Sequence, residues 1–354
     1  MLDCINNTPW SAVLARGWDS RGHPQTTVVV KSTFQFDESG ELQPAPEQDP
    51  VIETDEFRGK PYWSSLAAAS ETVPFKHGAE LYLYGTAQPL SGARAMKVAI
   101  GLTGPGERRW EKVLAVFGPR RWERRLGAYL PGEPEELVPT PIIYENALGG
   151  RHPDNEDLHD EHNPAGVGFN PPGLKLVAPA LPAIEVAPYM TDPRDRRPPA
   201  GFGPLPVLWE PRRSRLGEPE EDAPPLPDRC PWPAPLDPHA FHYAPGDQWF
   251  QEPFQGGEQL TLSGLVPGLP PGKQLTLVLP CPALEVAVRM RGRVAPHTMS
   301  LVMDTVVVDT DRMRLWVIQR GAVAGGLRDQ ARGVVVIDTM ESGQQPLDES
   351  RLAS

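Results

Sequence analysis

Eleven residues near the middle of the chain hold its densest set of side chains able to do chemistry. His152-Pro153-Asp154-Asn155-Glu156-Asp157-Leu158-His159-Asp160-Glu161-His162 carries three imidazoles and five carboxylates. These groups are ligands for zinc or a harder divalent ion, and a bound ion would activate water for hydrolysis. The spacing matches no helical HExxH arrangement, and so acidic a run reads first as a solvated loop that keeps its charges apart. A metal-dependent hydrolase centred on 152–162 is therefore the alternative reading. Other nucleophile signatures are missing: no GxSxG occurs, and Cys281, between Pro280 and Pro282, reads as a small buried hydrophobe at a strand edge. Gly104-Pro105-Gly106-Glu107-Arg108-Arg109 lacks the lysine and hydroxyl of a phosphate-binding loop and reads as a hairpin turn. The expectation is a protein that is not an enzyme, with no cofactor, no metal and no catalytic residue.

Arginines cluster at 108–109, 120–121, 124–125, 194–197 and 212–213, several beside Trp110, Trp122 or Trp209. Arginine and tryptophan are both enriched at protein–protein hot spots, although internal ion pairing explains such clusters equally well. A formal charge of −12 argues against nucleic acid, whose recognition needs clustered excess cations. Three scattered cysteines, Cys4, Cys230 and Cys281, with no CxxC spacing, fit a reducing cytoplasm. No apolar run approaches the roughly 18 residues of a spanning helix, and the start has no basic region followed by an apolar one. A cytoplasmic protein with no membrane association is expected.

The elements that must position these groups read as strands. Met96, Val98, Ile100 and Leu102 alternate with Ala95, Lys97, Ala99 and Gly101, the pattern of a half-buried strand. Thr26–Phe36, Leu81–Tyr84 and Val113–Phe117 are further strands, as are Gln259–Leu262, the alternating Leu275–Leu279 and Leu284–Met290, Leu301–Val308, Met313–Ile318 and Val334–Ile337. Asp309-Thr310-Asp311-Arg312 is a turn signal. Prolines concentrate between 131 and 255, where they forbid an ordinary sheet or helix interior. The same stretch carries Tyr144, Phe169, Tyr189, Phe202, Trp209, Trp232 and Trp249, unlike a disordered linker. The expected fold class is mainly β with little helix: antiparallel sheets in two lobes, sandwich or barrel-like, bridged by an extended Pro-rich segment. The expected divisions are an N-terminal β lobe 1–130, the bridge 131–255, a C-terminal β lobe 256–340 and a flexible tail 341–354. An offset of 179 residues places Gly85 on Gly264 and Met96 on Leu275, a faint echo that raises the possibility of duplication.

Several ordered segments of the middle then carry a resemblance. Pro141-Ile142-Ile143-Tyr144-Glu145-Asn146-Ala147-Leu148-Gly149-Gly150 with Asn163-Pro164-Ala165-Gly166-Val167-Gly168-Phe169 resembles the hallmark of the family catalogued as domain of unknown function 2169. Pro199-Ala200-Gly201-Phe202-Gly203-Pro204-Leu205-Pro206 with Trp209-Glu210-Pro211-Arg212-Arg213 resembles its second signature. Ala244-Pro245-Gly246-Asp247-Gln248 with Gly256-Gly257-Glu258 resembles its third, and Ala115 to Trp122 an upstream strand-ending pattern. Leu148 and His152 depart from the residues usual at those positions, as does the long acidic insertion to His162. The resemblance implies a type VI secretion adaptor or chaperone, which binds a secreted effector protein and assists its loading onto VgrG and PAAR spike proteins. A structural component of the spike is a further alternative. Tyr144, Gly149, Gly150, Asn163, Pro164, Gly166, Gly168, Phe169, Gly201, Phe202, Pro204, Trp209, Pro211, Arg212 and Arg213 are the candidate family-motif or partner-binding residues. Physically, Gly149, Gly150, Gly166 and Gly168 read as positions needing positive φ or close backbone approach, in a compact loop that holds Tyr144 and Phe169.

Overall fold

The computed structural model describes residues 2–105, 109–173, 175–217, 230, 232, 236–270, 272–290, 296–324 and 333–339. The expected tail 341–354 and the Pro224-Pro225 pair lie outside the described residues. Strand dominates, with a single short α-helix, Arg212–Leu216, among the described residues. The mainly β, helix-poor architecture anticipated from the alternating patterns is the one observed.

A seven-stranded sheet runs in the order Trp249–Phe250, Ala79–Tyr84, Val302–Asp309, Arg314–Ala324, Pro24–Phe36 and Ser11–Trp18, with Leu42–Pro44 added beside Pro24–Phe36. Its pairs are antiparallel except Ala79–Tyr84 against Val302–Asp309. A five-stranded antiparallel sheet has the order Ile184–Glu185, Arg109–Phe117, Ala95–Thr103, Gln259–Ser263 and Gln274–Val278. A four-stranded sheet joins Leu2–Asn6, Gly333–Thr339, Leu284–Met290 and His297–Met299.

Side-chain alternation explains how these sheets stack. On Pro24–Phe36 the even positions Val28, Val30, Phe34 and Phe36 share one face, along which the two smaller sheets pack. Phe34 and Phe36 meet the core containing Val98, Ile100, Leu260 and Leu277 of the five-stranded sheet, while Val28 and Val30 meet Val286, Val288, Val335 and Ile337 of the four-stranded one. Val29, on the opposite face, packs with Tyr82, Trp316, Phe241 and Tyr243. The long strand is buried on both faces, which is why its sequence reads as a continuous β-branched run. Layered sheets result, with no closed barrel among the described residues.

The boundaries 130/131 and 255/256 do not coincide with sheet boundaries. Both large sheets draw strands from each side of the middle segment, so the two expected lobes share their sheets. Pattern fixes which residues face inward, whereas strand partners depend on contacts distant in sequence, and no local signal reports them. The two halves of the 179-residue echo also differ in pairing. Gln259–Ser263 forms a hairpin with Gln274–Val278, whereas Ala79–Tyr84 and Ala95–Thr103 lie in different sheets.

A chain of buried charges runs through the seven-stranded sheet. Glu80 is fully buried and pairs with the buried Lys76, whose ammonium also donates to Thr305 Oγ1 at 2.7 Å. Arg320 pairs with Asp304 and donates to the Glu71 carbonyl at 2.8 Å, and Glu71 pairs with Lys31 at 2.8 Å. Buried charges survive only when paired and hydrogen-bonded, so each member depends on its neighbours. Burial holds the Lys76 pKa below the ordinary lysine value despite Glu80. Burial alone would raise the Glu80 carboxyl, but Lys76, His242 and the Ala244 amide outweigh it and hold it low. Glu80→Ala strands Lys76 as an uncompensated charge, and the expected loss is about 3–5 kcal/mol of unfolding free energy in urea titration; a loss under about 1 kcal/mol would show that the pair is dispensable.

Candidate functional site

The hallmark glycines allow two chain segments to touch. Leu148–Gly149 pairs in parallel with Val167–Gly168. Gly149 has φ +149° and a Cβ there would lie 2.2 Å from the Asn163 carbonyl oxygen, while a Cβ on Gly166 would lie 2.6 Å from that of Ala147. Only glycine lets the backbones approach this closely. Asn163, fully buried between them, donates from Nδ2 to the carbonyls of Tyr144 (2.8 Å) and Leu148 (3.0 Å). Pro164 is buried beside it. Phe169 is buried as well, with Arg196 over its ring at 4.9 Å.

The first and second signatures meet at Tyr144. Its hydroxyl donates to the Gly203 carbonyl at 2.8 Å, and its ring meets Trp209 edge to face at 5.9 Å. Gly201 lies against this ring, where a Cβ would come within 2.6 Å of Cε1. Phe202 and Trp209 are fully buried, Pro204 is buried, and Trp209 Nε1 donates to the Tyr62 carbonyl at 2.6 Å. Pro211 precedes the short helix whose Arg212 is buried, donates to the Leu205 carbonyl at 2.7 Å and lies 3.8 Å from the Tyr243 ring centroid. Arg213 is instead exposed and pairs with Glu161 (2.7 Å) and Glu210 (3.0 Å).

The third signature is tied to both sheets. Glu80 Oε2 accepts the amides of Tyr243 (2.7 Å) and Ala244 (2.9 Å), setting the path into Pro245-Gly246-Asp247. Gln248, fully buried, donates to the carbonyls of Leu81 (2.7 Å) and Phe202 (2.9 Å) and accepts from Lys112 at 2.8 Å. Lys112 also pairs with Asp247 at 2.8 Å.

Segments from all three signatures line one cavity of about 700 Å³. Leu148 comes from the first, Ala200, Leu205 and Pro211 from the second, and Pro245 to Asp247 from the third. Residues 184–188, Met190, Arg197 and Pro198 also line it, beside Pro199 of the second signature. Val186 among them is 44% exposed, an apolar side chain held open to solvent. The cavity is mainly apolar, with Lys112, Glu185, Arg197, Glu210, Arg215 and Asp247 as its charged lining residues, a composition that suits the binding of a ligand or of a partner side chain.

The acidic loop lies outside that arrangement, apart from His162. Arg151–His152 pairs with Asn155–His159 as a small ribbon. Both ring nitrogens of His159 are engaged, Nε2 with the Tyr62 hydroxyl and Nδ1 with the Glu156 carbonyl at 2.8 Å. His162 sits 3.6 Å from Asp160, and His152 Nδ1 accepts the Asp154 amide. The imidazoles thus face different partners, and no group of three or more His, Cys, Asp or Glu side chains able to hold a metal occurs among the described residues.

The arginine clusters divide. Arg120 is buried against Glu185 and the Phe117 ring, and Arg212 against Tyr243, so both are internal. Arg215, outside the clusters noticed in the sequence, lines the cavity and lies 4.5 Å from the Trp249 centroid. Val186, Glu80, Lys112 and His242 also escaped notice, since none stands in a repeated or motif-like spacing. Cys281, expected to be buried, is exposed.

His242 lies next to the third signature, is fully buried, and neither ring nitrogen has a hydrogen-bond partner. Burial pushes its pKa down to about 4; Glu80 opposes this, while Lys76, His239 and Arg215 reinforce it. An unfolded chain protonates this imidazole as pH falls through about 6.5, whereas the folded chain resists until about 4. The unfolded state therefore binds more protons in that window, and stability falls with pH. His242 accounts for about 3 kcal/mol of the loss between pH 7 and 4. Urea titrations across this range should give His242→Phe a shallower pH dependence than wild type; identical slopes would contradict the assignment. Gly149→Ala is expected to cost about 2 kcal/mol or more through overpacking and strain, whereas Gly127→Ala, with φ +88° and open space around it, carries the strain alone. Equal melting temperatures for the two variants would refute the close-approach role of Gly149.

A protein-family model described as an uncharacterized protein conserved in bacteria (DUF2169) matches residues 21–320, a span that includes all three signatures and every cavity-lining residue. No curated protein matches the chain. No solved structure matches it either. On the strength of that match, the chain belongs to the DUF2169 family.

Proposed function

We propose that the protein is a non-catalytic adaptor that binds a secreted effector and assists its loading onto the VgrG and PAAR proteins of a type VI secretion spike, acting in the cytoplasm. The observation that carries this reading is the convergence of all three family signatures on one open apolar cavity. Leu148, Ala200 and Leu205 are buried residues of the signatures that nonetheless border this cavity. Here Leu205 and Pro211 face the cavity while Tyr144, Asn163 and Gln248 hold the wall in place from behind. The division between a binding surface and its rigid backing is what partner recognition requires.

The reading has a direct test in the native host. Affinity purification of the tagged full chain, followed by mass spectrometry, is expected to recover an effector together with spike proteins, with the adaptor itself remaining in the cell. Recovery of no partner would overturn the proposal. Appearance in secreted material at the same ratio as the spike would make the protein a structural spike component instead.

A further inference from the structure

One cation of the cavity lining, Arg215, makes no direct ion pair among the described residues. Glu185 is engaged by Arg120 and by the Met190 amide at 2.7 Å, Glu210 by Arg213, and Asp247 by Lys112. Arg197 is held by Asp195 at 3.0 Å and by the Pro188 carbonyl. Arg215 differs: its guanidinium rests against Trp249 and makes no ion pair among the described residues. Burial disfavours its charged form and Arg212 adds to this, while Asp237 and the cavity-lining Glu210 give partial relief. A half-buried guanidinium on an apolar wall gains most from an incoming carboxylate, which it can grip with two parallel hydrogen bonds.

The wall also restricts the shape of an occupant. Pro188, Pro198, Pro199, Pro211 and Pro245 offer no backbone N–H, so the walls are poor templates for strand addition. Recognition must come from side chains packed between Leu148, Leu205 and Val186, with one charged contact setting direction. In a molecule of net charge −12, a cation inside an apolar cleft with no direct ion pair among the described residues also distinguishes this surface from the rest for an acidic partner.

We infer that the cavity takes an extended, apolar peptide segment bearing an Asp or Glu side chain, and that the carboxylate pairs with Arg215. The identification of that segment as part of an effector rests on the adaptor reading above; the chemistry of the occupant does not. The groove then reads local sequence in its partner: apolar residues fill it, and the acid fixes their register.

Panning a phage-displayed library of random twelve-residue peptides against the purified full chain tests this. Enriched peptides are expected to combine several apolar residues with an Asp or Glu, and replacing that acid by its amide should weaken binding at least tenfold. Arg215→Glu should abolish binding of the acidic peptides and favour versions with Lys at the same place. Val186→Glu, at an exposed position where folding is undisturbed, should repel the acidic peptides as well. The inference fails if no peptide is enriched, if the enriched peptides lack an acid, or if they bind Arg215→Glu and Val186→Glu as they bind wild type. Acid-bearing peptides recovered from a chain that retains no effector in the native host would support the groove chemistry while overturning the adaptor reading. An effector retained equally by wild type and Val186→Glu would overturn the groove inference and leave the adaptor reading standing.

Discussion

The buried carboxylate of Glu80 is a tie between the Pro-rich middle of the chain and the seven-stranded sheet, on which the path of the third signature depends. Glu80, at the start of strand Ala79–Tyr84, is fully buried, and its oxygens are shared between the Lys76 ammonium and the amides of Tyr243 and Ala244. None of these contacts is independent, because a charge without its partner in such an environment is expelled or neutralised. In the same strand the Leu81 carbonyl accepts from Gln248 Nε2, which also donates to the Phe202 carbonyl, while Gln248 Oε1 accepts from Lys112. The second and third signatures are thereby fixed to one another through the sheet.

The middle segment makes up by side-chain bonds what it lacks in ladder bonds. Proline removes amide donors and prevents regular pairing, and many carbonyls between 144 and 205 are met by side chains instead. Asn163 serves Tyr144 and Leu148, Tyr144 serves Gly203, and Arg212 serves Leu205. Asn170 closes another turn by bonding Gly168 and Ala178 while accepting the amides of Val177 and Ala178. Chain fixed in this way needs little ladder pairing to hold its path, and it leaves Val186 exposed at the cavity.

How much of this was legible in the sequence follows from the range of each interaction. The alternation Val98, Ile100, Leu102 is set by neighbours two residues apart and marks a real strand. The turn at Asp309 is equally local, its carboxylate accepting the amides of Asp311 and Arg312. The interleaving of early and late strands was not legible, because the pairing of Ala79–Tyr84 with Val302–Asp309 joins segments more than two hundred residues apart. Signature glycines could be read as close-approach positions, but the direction each neighbouring side chain faces could not. Arg212 and Arg213 drew attention as a pair, yet one is buried on Tyr243, the other is bound at the surface, and Arg215 faces the cavity. The acidic loop invited a metal reading from composition, while its imidazoles are turned apart by contacts such as that of Tyr62 with His159.

The central claim is that the wall joining the three signatures is the surface that meets the partner. Site-specific photo-crosslinking in the native host tests it most directly, with p-benzoylphenylalanine placed at Val186 in the cavity wall or at Leu90, which is 58% exposed and does not line the cavity. The account expects a covalent adduct with one partner protein from position 186 and none from position 90. Adducts from position 90 alone, or the same adducts from both, would contradict it.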